Sequence, residues 1–164
     1  MTDRRSARAA RVLDALVEQH LDALLVTGRA NIRYLTGFSG SSALLLVTAR
    51  DSVLITDFRY QTQVREEVGD LVRVRVEATS LWDGLWVELS QLPGRAVRWF
   101  GSAHVTLREF QRFLDDAAGA RWQWRPQGDI VEALRESKDE QEVALISVAA
   151  GLGTRALSNT LQQV

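Results

Sequence analysis

A chain of 164 residues, 46% hydrophobic and 25% charged, has the size and composition of one soluble globular domain with a proper core. A formal net charge of −1 argues against nucleic acid or an anionic membrane as a partner held by bulk electrostatics, and no apolar run reaches the roughly 20 residues that span a bilayer. The absence of cysteine removes disulfides and thiolate chemistry and fits a cytoplasmic protein.

Met1 to Arg5 is basic but leads into an amphipathic helix, not the apolar core of a signal peptide. That helix is predicted from Ser6 to Leu21, with Val12, Leu13, Leu16, Val17 and Leu21 as its apolar stripe. His20 falls on or beside the stripe; with no second ligand nearby it reads as a buried or half-buried helix residue, not a metal ligand. Ala23–Thr27 follows as a buried strand ended by Gly28. Asn31–Leu35 then leads into the loop Gly37-Phe38-Ser39-Gly40-Ser41-Ser42, where the two glycines are expected to supply unusual backbone angles. The loop lacks the G-x-x-x-x-G-K-[ST] pattern of a phosphate cradle.

Two apolar, β-prone runs, Ala43–Val47 and Val53–Ile55, are joined by Thr48-Ala49-Arg50-Asp51-Ser52, the pattern of an antiparallel hairpin. At its exit Asp57 is placed to cap a helix Arg59–Val68, and Arg59 is expected to pair with a nearby acid. Leu71–Val76 alternates as a half-buried strand, with Arg73 and Arg75 on a solvated face. Leu81, Leu85 and Leu89, with Trp82 and Trp86 on the adjoining row, predict an amphipathic helix ending near Pro93-Gly94; its tryptophans serve packing better than base stacking. Ala96–Phe100 is the next strand, and Thr106 caps a helix Leu107–Ala118 with the stripe Phe110, Phe113 and Leu114. His104, between them, has no local catalytic partner. Arg121–Arg125 is a last strand, stopped by Pro126 and Gly128. The order α-β-β-β-α-β-α-β-α-β predicts an α/β fold with a mixed sheet of about six strands flanked by helices.

From Ile130 the chain changes character. Ser137 and Glu140 have capping-box spacing, so a helix is predicted to start at Ser137. Asp139, Glu140 and Glu142 point to different sides of that helix and suit its positive end; they read as a cap, not a metal cluster. Val143 to Leu152 is apolar on nearly every side, the pattern of a helix that expects burial. Packing against the same helix of another chain is the favoured outcome.

The ordered set N-I-R-Y-L-T-G-F-S-G-S (Asn31–Ser41), an apolar hairpin, then I-T-D-F-R-Y (Ile55–Tyr60) resembles the N-terminal domain of the creatinase/prolidase/aminopeptidase P family. Leu134–Val143 is similar to that family's junction, where the N-terminal domain hands over to the catalytic one. The resemblance implies residues 1–129 as the N-terminal domain and residues 130–164 as a junction helix leading into a catalytic domain that this chain lacks, so that the chain would be a piece of a longer enzyme. It implies an Xaa-Pro metallopeptidase, dipeptidase or aminopeptidase P, that acts on short proline-containing peptides as a homodimer. Two divalent ions (Mn, Co or Zn) would sit in the catalytic half, with no catalytic residue, metal or cofactor in this chain. It places Phe38, Ser39, Gly40 and Ser41 as an exposed wall of the neighbouring subunit's substrate site, with Asp57, Arg59 and Tyr60 as a structural corner. Two other functions share the fold: a stand-alone peptide- or protein-binding module, and the N-terminal domain of a creatine-type amidinohydrolase.

Overall fold

A computed structural model describes residues 4–92, 98–102, 105–109, 111 and 122–162. The chain divides into two compact units, Met1–Glu132 and Ala133–Val164. Its elements are α1 (Arg4–Glu18), β1 (Ala23–Val26), α2 (Arg29–Thr36), β2 (Ala43–Thr48) and β3 (Ser52–Asp57), then a 3-10 turn (Phe58–Tyr60), α3 (Gln61–Val68), β4 (Arg73–Glu77) and α4 (Leu81–Gln91). They continue with β5 (Arg98–Ser102), β6 (Trp122–Pro126), α5 (Ile130–Glu136) and α6 (Glu140–Leu161).

The strands form one mixed sheet in the order β4-β3-β2-β1-β5-β6. β2 and β3 pair antiparallel, with Ala43 opposite Thr56 and Val47 opposite Ser52. Thr48 builds their turn: its amide donates to the Asp51 carbonyl at 3.0 Å, and its hydroxyl accepts from the Arg50 amide at 3.2 Å. β1 joins β2 antiparallel, whereas β4 on β3, β5 on β1 and β6 on β5 are parallel.

Both faces of the sheet are covered, which is why Ala43–Val47 is apolar throughout instead of alternating. One face carries Ala23, Leu25, Leu44, Leu46, Val53 and Ile55, packed with Leu85 and Leu89 of α4. Leu81, Trp82 and Trp86 close its margin, as their spacing predicts. Leu45 and Val47 point the other way, towards Val12 and Leu35 of α1 and α2.

Several local readings are corrected. The helix α2 stands where the sequence suggested only a lead-in to the loop. Eight residues are too few for a clear period, and α1 helps hold them: Arg8 donates to the Tyr34 carbonyl at 2.9 Å, its guanidinium 3.9 Å above the Tyr34 ring. The helix α1 stops at Glu18, leaving Val17 exposed. His20 is exposed, not half-buried, in the left-handed region at φ 53°. Its amide donates to Val17 and that of Leu21 to Leu16, the two bonds of a Schellman turn.

Arg73 and Arg75 are not merely solvated. Both reach Glu88 of α4, which is 3% exposed: Arg73 at 2.5 and 2.9 Å, Arg75 at 3.3 Å. Asp51 takes the other side of Arg73, and Glu77 pairs with Arg75. Bonding by Arg73, then its charge and that of Arg75, outweighs burial and holds the Glu88 carboxyl below the usual range.

Thr106 and Glu109 cap each other's amides, as expected for a helix start there. His104 and most of the predicted helix beyond residue 109, with Phe110, Phe113 and Leu114, lie outside the described residues. In the second unit the capping box is Asp139 with Glu142, not Ser137 with Glu140. The Asp139 carboxylate accepts from Gln141 and Glu142 at 2.9 and 3.0 Å, and Glu142 accepts from the Asp139 amide at 3.1 Å. The two boxes are offset by two residues in sequence; α5 runs to Glu136, so Ser137 and Lys138 are used up as the link.

Candidate functional site

Thr36 ends α2, fully buried, donating to the Ile32 carbonyl at 2.7 Å and accepting from the Phe38 amide at 3.1 Å. Gly37 follows at φ 85°, a left-handed cap that a side chain would strain. Gly40 has no such angle, so the sequence expectation fails there. Its role is spatial: a Cβ would stand inside the Phe38 ring and 3.0 Å from Cδ1 of Tyr60.

Phe38, expected in an exposed wall, is instead 1% exposed. Its ring meets Tyr60 edge-on, centroids 5.5 Å apart at 88°. The residues that remain at the surface are Ser39 and Gly40, both half-buried, and Ser41, exposed. The Ser41 hydroxyl lies 2.7 Å from the Tyr60 hydroxyl, and the Ser41 amide donates to the same oxygen at 3.3 Å. These bonds hold the Tyr60 phenol below its ordinary value.

Asp57 caps the 3-10 turn by accepting from the Arg59 amide at 3.1 Å and takes the Arg59 guanidinium in a two-point grip at 2.9 and 2.7 Å. The bonds from Arg59 lower the Asp57 carboxyl to about 2. The expected ion pair is therefore local, two residues apart. All seven residues singled out in the sequence meet in one patch, where the loop before the hairpin lies against the turn after it.

Sequence reasoning missed the residues behind that patch. Glu67 of α3 accepts from the Ser39 amide at 2.7 Å and the Ser39 hydroxyl at 2.6 Å. Gln63, one turn earlier, donates to the Ser39 hydroxyl at 2.9 Å and to Glu67 at 3.0 Å. The i, i+4 spacing of Gln63 and Glu67 was readable as one helix face; their approach to Ser39, 24 and 28 positions away, was not. Asn31, the first residue of the motif, is likewise structural: buried, it donates to Glu132 at 2.5 Å.

Chemically the patch presents hydroxyls held in fixed positions, while the Ser39 and Ser41 amides are spent on Glu67 and Tyr60. The carboxylate beside Ser39 sits below the ordinary range, a poor base for activating a hydroxyl. Among the described residues, no three His, Cys, Asp or Glu side chains come together as metal ligands. No described helix is long and apolar enough to cross a membrane.

Residues 8–137 match the Creatinase/Prolidase N-terminal domain family. Over 150 residues the chain is 25% identical to YqhT of Bacillus subtilis (strain 168), an uncharacterized peptidase, covering 86% of this chain and 39% of the relative. The fold superimposes on an Xaa-Pro dipeptidase from Bacillus anthracis with a TM-score of 0.85 at 21% identity, over 98% of this chain and 44% of the other. It also matches the N-terminal domain of the cytoplasmic peptidase PepQ from Mycobacterium tuberculosis H37Rv: TM-score 0.66, 30% identity, 78% of this chain and 98% of that one. The chain thus spans less than half the length of YqhT and of the Bacillus anthracis enzyme.

Proposed function

Because this chain belongs to the creatinase/prolidase family through its N-terminal domain, we propose that it serves as the non-catalytic N-terminal domain of an Xaa-Pro metallopeptidase. Ser39, Gly40 and Ser41 form part of the wall of a substrate site completed by a neighbouring subunit of a homodimer, and Phe38 supports them from beneath. The anchored loop is the observation that carries this reading: the Ser39 and Ser41 hydroxyls are held in place at the surface by Glu67 and Tyr60. Short proline-containing peptides are the substrates, and the compartment is the cytoplasm, in keeping with the cytoplasmic peptidase among its relatives. On this reading the two divalent ions and the bond-breaking chemistry belong to a catalytic half.

The test is kinetic, in the chain continued in frame through that half. Ser41→Trp should raise KM for an Xaa-Pro dipeptide or lower kcat while leaving the fold intact by circular dichroism. Unchanged kinetics would return the loop to a purely structural role.

A further inference from the structure

We propose that Glu67 is the positioning residue of this wall: its two carboxylate oxygens fix the backbone and the hydroxyl of Ser39, and so set where Ser39, Gly40 and Ser41 stand. The proposal rests on the reading of the loop as a substrate wall. Its geometry is independent of that reading. The Ser39 and Ser41 amides both donate to side chains, to Glu67 and Tyr60, so the loop's shape depends on groups outside it. The Glu67 contact is a two-point, charge-assisted one, at 2.7 Å to the amide and 2.6 Å to the hydroxyl, and such pairs fix orientation as well as distance.

The clamp is mounted on a firm base. Val64 and Val68, flanking Glu67 on α3, are 0% and 1% exposed. The Glu67 carbonyl accepts from Arg5 at 3.0 Å, and the same nitrogen of Arg5 bonds the Thr36 carbonyl at 3.0 Å. One arginine of α1 thereby ties the end of α2, where the loop starts, to the helix that holds the loop. A site residue needs this kind of support to stay within a fraction of an ångström of a productive position.

The groups facing the carboxylate are Ser39 from the loop, Gln63 from its own helix and the Arg33 charge from α2, with Arg5 on its backbone oxygen. Burial pulls the Glu67 carboxyl up, but the Ser39 and Gln63 bonds and Arg33 outweigh it, leaving it below the ordinary range. The carboxylate is therefore ionised at neutral pH, and the charge that strengthens its hold on Ser39 is lost as pH falls through that lowered value.

Two measurements test the proposal. In the 164-residue chain, NMR should show the Ser39 amide and the Glu67 carboxyl carbon titrating together. Glu67→Gln should abolish that titration and shift the Ser41 amide, while the hairpin amides of Leu45 and Leu54 stay in place. In the chain continued through its catalytic half, Glu67→Gln should raise KM roughly three- to tenfold with kcat little changed. Ser39→Ala should do the same, and the double variant should be no worse than either single one. A Ser39 amide indifferent to Glu67→Gln overturns the proposal. So does a KM raised by Ser41→Trp but not by Glu67→Gln, which leaves the wall reading standing. If neither variant moves KM although the Ser39 amide is released, the wall reading fails and the proposal with it. Should Glu67→Gln unfold the chain, Ser39→Ala supplies both readouts from the other side of the contact.

Discussion

Gly40 and Phe38 occupy one another's space, so the cost of disturbing them can be placed. Gly40→Ala puts a methyl into the Phe38 ring and should destabilise the chain by about 1–3 kcal/mol, the usual penalty of overpacking. Phe38→Ala, at a site 1% exposed, should cost about 3–5 kcal/mol. Urea unfolding of both variants checks this order, and a neutral Gly40→Ala would mean the ring moves freely. Asp57 carries a pH signature: lowered from 3.8 to about 2, it contributes stability that is complete above its ordinary value and lost as pH falls through about 2. Asp57→Asn should flatten that part of the acid limb in a melting-temperature profile from pH 4 to pH 2, by lowering the melting temperature in the neutral range and converging with the parent chain near pH 2. The motif residues could be named from the sequence because they cluster within short stretches. Their roles could not. Whether Phe38 faces water or the core depends on the space Gly40 leaves against Tyr60, across the hairpin.

Elements were read best where a long periodic signal met a strong stop, as in the β2–β3 hairpin and in α4. They were missed where a short helix is held by distant groups, as α2 is by Arg8, or where two caps compete. The Asp139 box makes a direct test: Asp139→Ala should speed hydrogen exchange at Gln141 and Glu142 and cost α6 about 1 kcal/mol, whereas Ser137→Ala should do neither. The arginines of β4 show a related limit. Alternation gave the strand but not the face: Arg73 and Arg75 stand beside Val53 and Ile55 and turn to Glu88 of α4, and a solvated face and one bonded to a buried carboxylate look alike in sequence. Replacing both Arg73 and Arg75 with Met would leave Glu88 buried without its cations, and this should destabilise more than Glu88→Gln, which leaves two partly exposed arginines with Asp51 and Glu77. Equal losses in thermal denaturation would show that Glu88 contributes little as a charge.

At the scale of the whole molecule, α6 remains helical through Gly151 and Gly153 to Leu161, with Val143, Leu145, Ile146, Val148, Leu152, Leu157 and Leu161 each more than half exposed. Exposed aliphatics in that number favour association. Light scattering at about 100 μM, where dimerisation needs roughly 5–6 kcal/mol, should show more than a monomer, and truncation after Arg135 should abolish it; a monomer with the helix intact would exclude this route. The sheet order β4-β3-β2-β1-β5-β6 has a consequence in time. β1 to β4 come from the first half of the chain and pair with near neighbours in sequence, whereas β5 must return from beyond α4 to the far side of β1. Local pairings form sooner than distant ones, so during synthesis Ala23–Val26 offers an unpaired, wholly apolar strand edge until Arg98–Ser102 emerges. Ribosome-stalled chains ending near Gln91 should bind chaperones or aggregate, and chains stalled well beyond Pro126 should not.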